Sequence, residues 1–131
     1  MSFGENTSER IEAVAKEVVD AAFKVHKILG PGLLESVYVT CLAHELRMRG
    51  LKVARDVIVP IVYEGVTLDA DLRLDLLVED LVIVEAKSVE RMIPVFEAQS
   101  LTYLKLLKKR LCLLINFNVP PIKDSIRRVV L

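Results

Sequence analysis

The stretch Leu81-Val82-Ile83-Val84-Glu85-Ala86-Lys87 decides how this chain is read. A run of leucine and β-branched residues predicts a strand covered on both faces. An acid and a base then follow two positions apart, so Glu85 and Lys87 point to the same face of that strand. Just upstream, across a tight turn at Glu79-Asp80, the preceding strand carries Asp75. A short turn sets Asp75 opposite Val84 or Glu85. Both registers bring it near Glu85, and one of them, or a bulge or bend, puts the two carboxylates on one face. Two carboxylates and an ammonium on one spot suit a hard divalent cation, Mg²⁺ or Mn²⁺, and a water nucleophile. Buried without a metal or partners, such charges would each cost on the order of several kcal/mol.

The bulk properties fit a compact carrier for that site. The chain has 131 residues, the size of a single domain over 1–131, and 53% apolar residues are enough for a packed core. No apolar run reaches the ~20 residues of a membrane helix, so no membrane partner is expected. Met1 to Arg10 is polar, carries Glu5 and Glu9, and does not read as a signal peptide. Cys41 and Cys112 lie in apolar stretches and read as free thiols of a reducing cytoplasm. Two cysteines are too few for a disulfide framework, and no histidines stand at ligand spacing for zinc. His26 and His44 are read as ordinary surface or boundary residues.

The 18 basic and 18 acidic residues cancel. Whole-molecule attraction to a polyanion is therefore weak, and phosphate contact would have to come from a local rim. Three basic groups are available: Lys105 with Lys108, Lys109 and Arg110; Lys123 with Arg127 and Arg128; and Arg47 with Arg49, Lys52 and Arg55.

Around the central strand the element order is α-α-β-β-β-α-β, with a short strand to follow. Ile11, Val14, Ala15, Val18, Ala22, Val25 and Leu29 make one helical stripe over 8–28, with Asn6, Thr7 or Ser8 as cap. Gly30-Pro31-Gly32 breaks it; no strand precedes these glycines, so they are no phosphate loop. A second helix over 33–49 buries Leu34, Val37, Tyr38, Cys41, Leu42 and Leu46 and stops at Gly50. Strands follow over 53–63, with Pro60 marking an edge or bulge, over 66–78 after a Glu64-Gly65 turn, and over 81–87. A third helix over 94–109 starts at Pro94 and turns Val95, Gln99, Tyr103 and Leu106 inward. Leu111 to Phe117 reads as a doubly covered strand, which makes the third strand, helix and fourth strand a parallel crossover. Ile126 to Leu131 closes the chain.

Gly32-Leu33-Leu34-Glu35-Ser36-Val37-Tyr38 matches a G-x-x-E-x-x-Y pattern. On these residues the chain resembles the GxxExxY family of small prokaryotic proteins, placed in the PD-(D/E)XK nuclease superfamily. The likeness runs from about Ala15 to the C-terminus and includes Leu113 to Phe117. It implies an α/β fold with a mixed central sheet flanked by helices. It also implies a metal site of Asp75 and Glu85 with Lys87, a Q-x-x-x-Y element at Gln99 and Tyr103, and Glu35 as a further ligand. Phe96 stands where relatives often carry a histidine.

The function expected is a Mg²⁺- or Mn²⁺-dependent phosphodiesterase acting on DNA or RNA. Asp75, Glu85, Lys87, Gln99 and Tyr103 are its catalytic residues, and Glu35, Asp75 and Glu85 its metal ligands. With no separate nucleic-acid domain, a homodimer or partner protein is expected, with the Lys105–Arg110 or Arg47–Arg55 group beside the site. The alternative is a non-catalytic nucleic-acid-binding or self-associating module with a vestigial site.

Overall fold

The computed structural model describes residues 3–131, with side chains from Thr7 onward. The first helix, α1, spans Phe3–Leu29 and buries the expected stripe from Ile11 to Val25. It starts earlier than its capping residues predict: Asn6, Thr7 and Ser8 lie inside it, and the side chain of Asn6 is outside the described residues. No proline interrupts this segment, so the helix runs on through the cap signal.

The second helix, α2, spans Glu35–Met48 and buries Tyr38, Val39, Leu42, Ala43 and Leu46. Leu34, 75% exposed, and Val37 were expected inside and are not. Leu34 is the N-cap, one residue before the helical phase that sets the buried face begins. The helix stops as predicted at Gly50 (φ +85°), with Gly50 N–H donating to Arg47 O and Leu51 N–H to Leu46 O. Both bonds close a left-handed helix end that a residue with a Cβ resists.

The two long strands expected between 53 and 78 are each broken. The pieces are β1 (Val53–Ile58), β2 (Ile61–Tyr63), β3 (Val66–Leu68) and β4 (Arg73–Val78). Pro60 lacks a donor for the ladder, and Asp71 sits at φ +56° between β3 and β4. The β2–β3 hairpin, turning at Glu64-Gly65, therefore forms its own two-stranded ribbon. Strand β5 (Val82–Lys87) leads to α3 (Pro94–Leu107), β6 (Leu111–Asn116), a 3-10 turn at Ile122–Ser125 and β7 (Ile126–Val130).

The main sheet has the order β1-β4-β5-β6-β7. Strands β5 and β6 are parallel, from Val82↔Leu111 to Lys87↔Asn116, and the other neighbours are antiparallel. Helices α1 and α2 cover one face, over a core that includes Leu76, Val78, Val84, Leu113 and Ile115. Helix α3 covers the other, over Leu74, Ile83, Tyr103, Leu104 and Cys112. This is the α/β architecture expected, a mixed sheet between helical layers. Cys112 is buried, Cys41 half-buried, and both are free thiols. Among the described residues no helix is long and apolar enough to cross a membrane.

Candidate functional site

The site begins where β4 lets go of its neighbours. Strands β1 and β4 pair at Arg55↔Leu76 and again at Val57↔Leu74, while the pair between them, Asp56 and Asp75, drops out of the ladder. Asp56 stands at φ +50°, a conformation that turns its peptide out of line. Leu76 joins the core under α1 and α2, but Leu74, two residues away, joins the core under α3. The strand thus twists through at Asp75, as strands do at a bulge.

On the other side, β4 and β5 are paired at Leu76↔Val84 and not beyond. The next position in that register would face Asp75 with Glu85. There, side chains replace the ladder. Ala86 N–H donates to Asp75 Oδ2 at 2.8 Å, and Asp75 N–H donates to Glu85 Oε2 at 3.3 Å. The turn that sets this register is tight: Leu81 N–H bonds Val78 O, with Glu79 and Asp80 both left-handed.

Glu85 is 6% exposed and in hydrogen-bonding contact with the Asp75 carboxyl. Burial pushes its pKa up to about 9; the adjacent Asp75 adds to the shift, and Lys87 acts weakly against it. Two carboxyls so placed cannot both ionise at low cost without a cation. A pair of hard oxygen donors held in this way fits Mg²⁺ or Mn²⁺.

Lys87, two residues on, ends β5. Its ammonium lies 4.7 Å from the centre of the Phe96 ring, near the start of α3. Its carbonyl accepts from Phe117 N–H at 2.9 Å, which fixes the backbone beneath it.

Helix α3 supplies the rest of this side. Tyr103 is buried, and burial first, then the Glu85 and Asp75 carboxylates, raises its pKa to about 12. The Gln99 side chain bonds the Tyr103 hydroxyl and acts the other way. Gln99 itself is exposed, as is Val95, contrary to the inward face expected for this helix. Only Ser100, Tyr103 and Leu104 are buried, so the first turns of α3 reach past the core. Behind the carboxylates, burial pushes the Cys112 thiol up to about 12, eased by a hydrogen bond with Ser100.

Glu35 stands apart from this group. It opens α2, is exposed, and its Oε2 accepts from Ser88 N–H at 3.4 Å. Among the described residues, no three His, Cys, Asp or Glu side chains come together to hold one ion. Asp75 and Glu85 are therefore the pair that would hold a cation here.

The G-x-x-E-x-x-Y residues instead tie the α1–α2 turn to the end of β5. Gly32 takes φ +100°, and Ser88 Oγ donates to Leu33 O. The fully buried Tyr38 donates to Gly30 O at 2.6 Å and accepts from Leu33 N–H at 3.2 Å. Its ring stacks on Phe117 with centres 4.6 Å apart. Tyr38→Phe keeps the stack and leaves two buried main-chain groups unpaired. It should lower stability by about 1–3 kcal/mol, read by urea titration with an unchanged m-value.

Asn116 is the residue the sequence reading passed over. It is buried, faces Lys87 across the parallel pair, and bonds both N–H and C=O of Val89, as well as Asn118 N–H. It thereby ties the segment after Lys87 to β6. A lone amide inside an apolar strand was the available signal.

The basic groups do not form the rim expected. Lys108 to Arg110 lie at the start of β6, the end of the parallel pair opposite Lys87, and Lys109 pairs with Asp80 at 3.0 Å. Arg49 is held by Glu17 and Glu45, Arg127 by Glu97 and Arg128 by Glu12. Arg55, opposite Leu76, is the member of these groups nearest Asp75 in the register.

A splayed strand pair presenting Asp75, Glu85 and Lys87 between helical layers defines a class of phosphodiester-cleaving folds. The model of the PD-(D/E)XK nuclease superfamily matches residues 12–129, and the chain belongs to that superfamily. Neither curated proteins nor solved structures gave a match.

Proposed function

We propose that the protein is a Mg²⁺- or Mn²⁺-dependent phosphodiesterase acting on nucleic acid. The observation that carries this is the buried Asp75–Glu85 carboxyl pair, set beside Lys87 where β4 parts from β5. A bound divalent cation would supply a nucleophile from water at neutral pH and polarise the phosphoryl oxygen. Asp75 and Glu85 hold it through their oxygens. Lys87 meets the charge that gathers on phosphorus at attack and orients the nucleophile. Tyr103, set by Gln99, fixes the floor on which the pair rests. Glu35 acts through Ser88, on the segment after Lys87. The test is metal-dependent cleavage of a panel of labelled DNA and RNA oligonucleotides, single- and double-stranded, with Lys87→Ala as control. No cleavage of any of them with either metal ends this reading.

The second reading is a nucleic-acid-binding module that keeps the fold without turnover. One observation favours it: the Lys87 ammonium rests on the Phe96 ring, where relatives of the family it resembles often have a histidine. Binding without cleavage in the same panel selects it.

Metal binding is checked separately. Mn²⁺ at about a hundred times its Kd should stabilise the fold by about 2.7 kcal/mol, because only the folded state assembles the pair. Asp75→Asn keeps an acceptor for Ala86 N–H but removes a charge, and should abolish most of that gain. Equal Mn²⁺ affinity of Asp75→Asn and wild type in calorimetry would exclude Asp75 as a ligand.

A further inference from the structure

A groove of about 600 Å³ lies between the end of α1 and the Pro120–Lys123 segment, outside the carboxylate site. Phe23, Pro120 and Pro121 give it an apolar lining, and Lys27 and Lys123 stand on it. Phe23 is 38% exposed, unusual for a phenylalanine with a packed core beside it. Neither lysine has a carboxylate partner among the described residues, whereas Lys24, Arg49, Lys109, Arg127 and Arg128 all have one. Cationic charge free to meet phosphate is thus found here and not in the groups that the sequence made prominent.

The groove is also continuous with the site. His26 lines it, and its ring lies 6.5 Å from that of Phe117. Phe117 in turn donates its N–H to the carbonyl of Lys87. The groove therefore opens at the end of the parallel β5–β6 pair where Lys87 stands.

An apolar, aromatic floor with cations beside it suits unstacked bases on a phosphate backbone, which only a single strand offers. A protein partner would meet the same floor, but two unpaired lysines favour a polyanion. We propose that this groove binds a single-stranded flank of the nucleic acid whose scissile phosphate lies at Asp75, Glu85 and Lys87. The proposal rests on the nuclease reading of that site and adds the path of the strand. Phe23 stacks a base, and Lys27 and Lys123 contact phosphates.

The experiment is fluorescence anisotropy of labelled single-stranded DNA and RNA of one length, over a series of KCl concentrations. Lys87→Ala serves as the uncleaving parent. Lys27→Glu with Lys123→Glu should weaken binding at least tenfold and lower the slope of log K against log salt by about 0.7 per lost contact. Phe23→Ala should weaken it about tenfold with the slope unchanged. Lys108→Glu, at the far end of the sheet, should leave both quantities as in the parent. All substituted side chains are exposed or line the open groove, and circular dichroism melts verify that each variant is folded. A parent that binds, with the double charge reversal leaving affinity and slope unchanged, overturns the groove and leaves the site reading standing. So does an equal loss in Lys108→Glu, which would mark general electrostatics. A parent that binds neither DNA nor RNA removes the nuclease reading, and the groove proposal falls with it.

Discussion

Glu85→Gln should make the metal-free protein more stable than wild type at pH 8, by about 2–4 kcal/mol or about 10 °C in Tm. Glu85 is buried against Asp75, and its folded-state pKa is raised from 4.5 to about 9. A carboxyl with a raised folded-state pKa stays protonated in the fold and ionises on unfolding. Its contribution is fully present below pH 4.5 and is lost as pH climbs toward 9. Metal-free wild type should therefore lose stability over that window, and Glu85→Gln should not, since an amide does not titrate. The amide oxygen still accepts from Asp75 N–H, so the gain does not come with a lost hydrogen bond. The two melting curves should converge near pH 4.5. With Mn²⁺ added at pH 8 the order should reverse, because the ionised pair is then the better partner for the cation. Parallel pH dependence of wild type and Glu85→Gln in EDTA would show that Glu85 ionises freely and is not the buried partner of Asp75.

The spacing of Asp75, Glu85 and Lys87 was legible because it depends on local rules: a period of two along a strand and a turn too short to allow more than one slip. The α1 stripe was legible for the same reason at helical period, and Gly50 because a left-handed helix end needs no partner to specify it. Less legible was anything set by what an element meets. The inward face of α3 was phased correctly at Tyr103, but Val95 and Gln99 extend past the layer that would cover them. Leu34 is apolar and in phase, yet precedes the first helical residue. The parting of β4 from both neighbours follows from Asp56 and Asp75 facing each other across strands that the sequence separates by nineteen positions. Pro60 announced a break, though not that the whole hairpin after it would leave the sheet.

Charge showed the same limit. Clusters of lysine and arginine in sequence were quenched by acids from other elements, as Arg128 is by Glu12 of α1. Lys27 and Lys123, isolated in sequence, are the pair that the fold sets together and leaves unpaired. Glu35 belongs to this lesson too. The motif that names its pattern is conspicuous in sequence, yet its structural work is a brace: Tyr38 on Gly30 and Leu33, Ser88 on Leu33, and Glu35 on Ser88.

Lys87→Ala should lower kcat for metal-dependent cleavage about 10²–10³-fold while leaving KM within about threefold. The backbone at this position is fixed independently of the side chain, by the Lys87↔Asn116 pairing and the bond from Phe117 N–H. The truncation therefore removes an ammonium without moving Asp75 or Glu85. A charge needed only when negative charge builds on phosphorus affects the chemical step and not ground-state binding. Lys87→Arg should recover little, since a planar guanidinium over Phe96 points its donors elsewhere. Phe96→Leu should cost less, about tenfold in kcat, by removing the ring that holds the ammonium 4.7 Å away. If Phe96 instead held Lys87 back from the site, Phe96→Leu would raise kcat, and the Phe96→His variant would decide between the two. Single-turnover cleavage with saturating Mn²⁺ separates the chemical step from release. Unchanged single-turnover rates in Lys87→Ala would remove Lys87 from the catalytic set and leave the carboxyl pair acting alone.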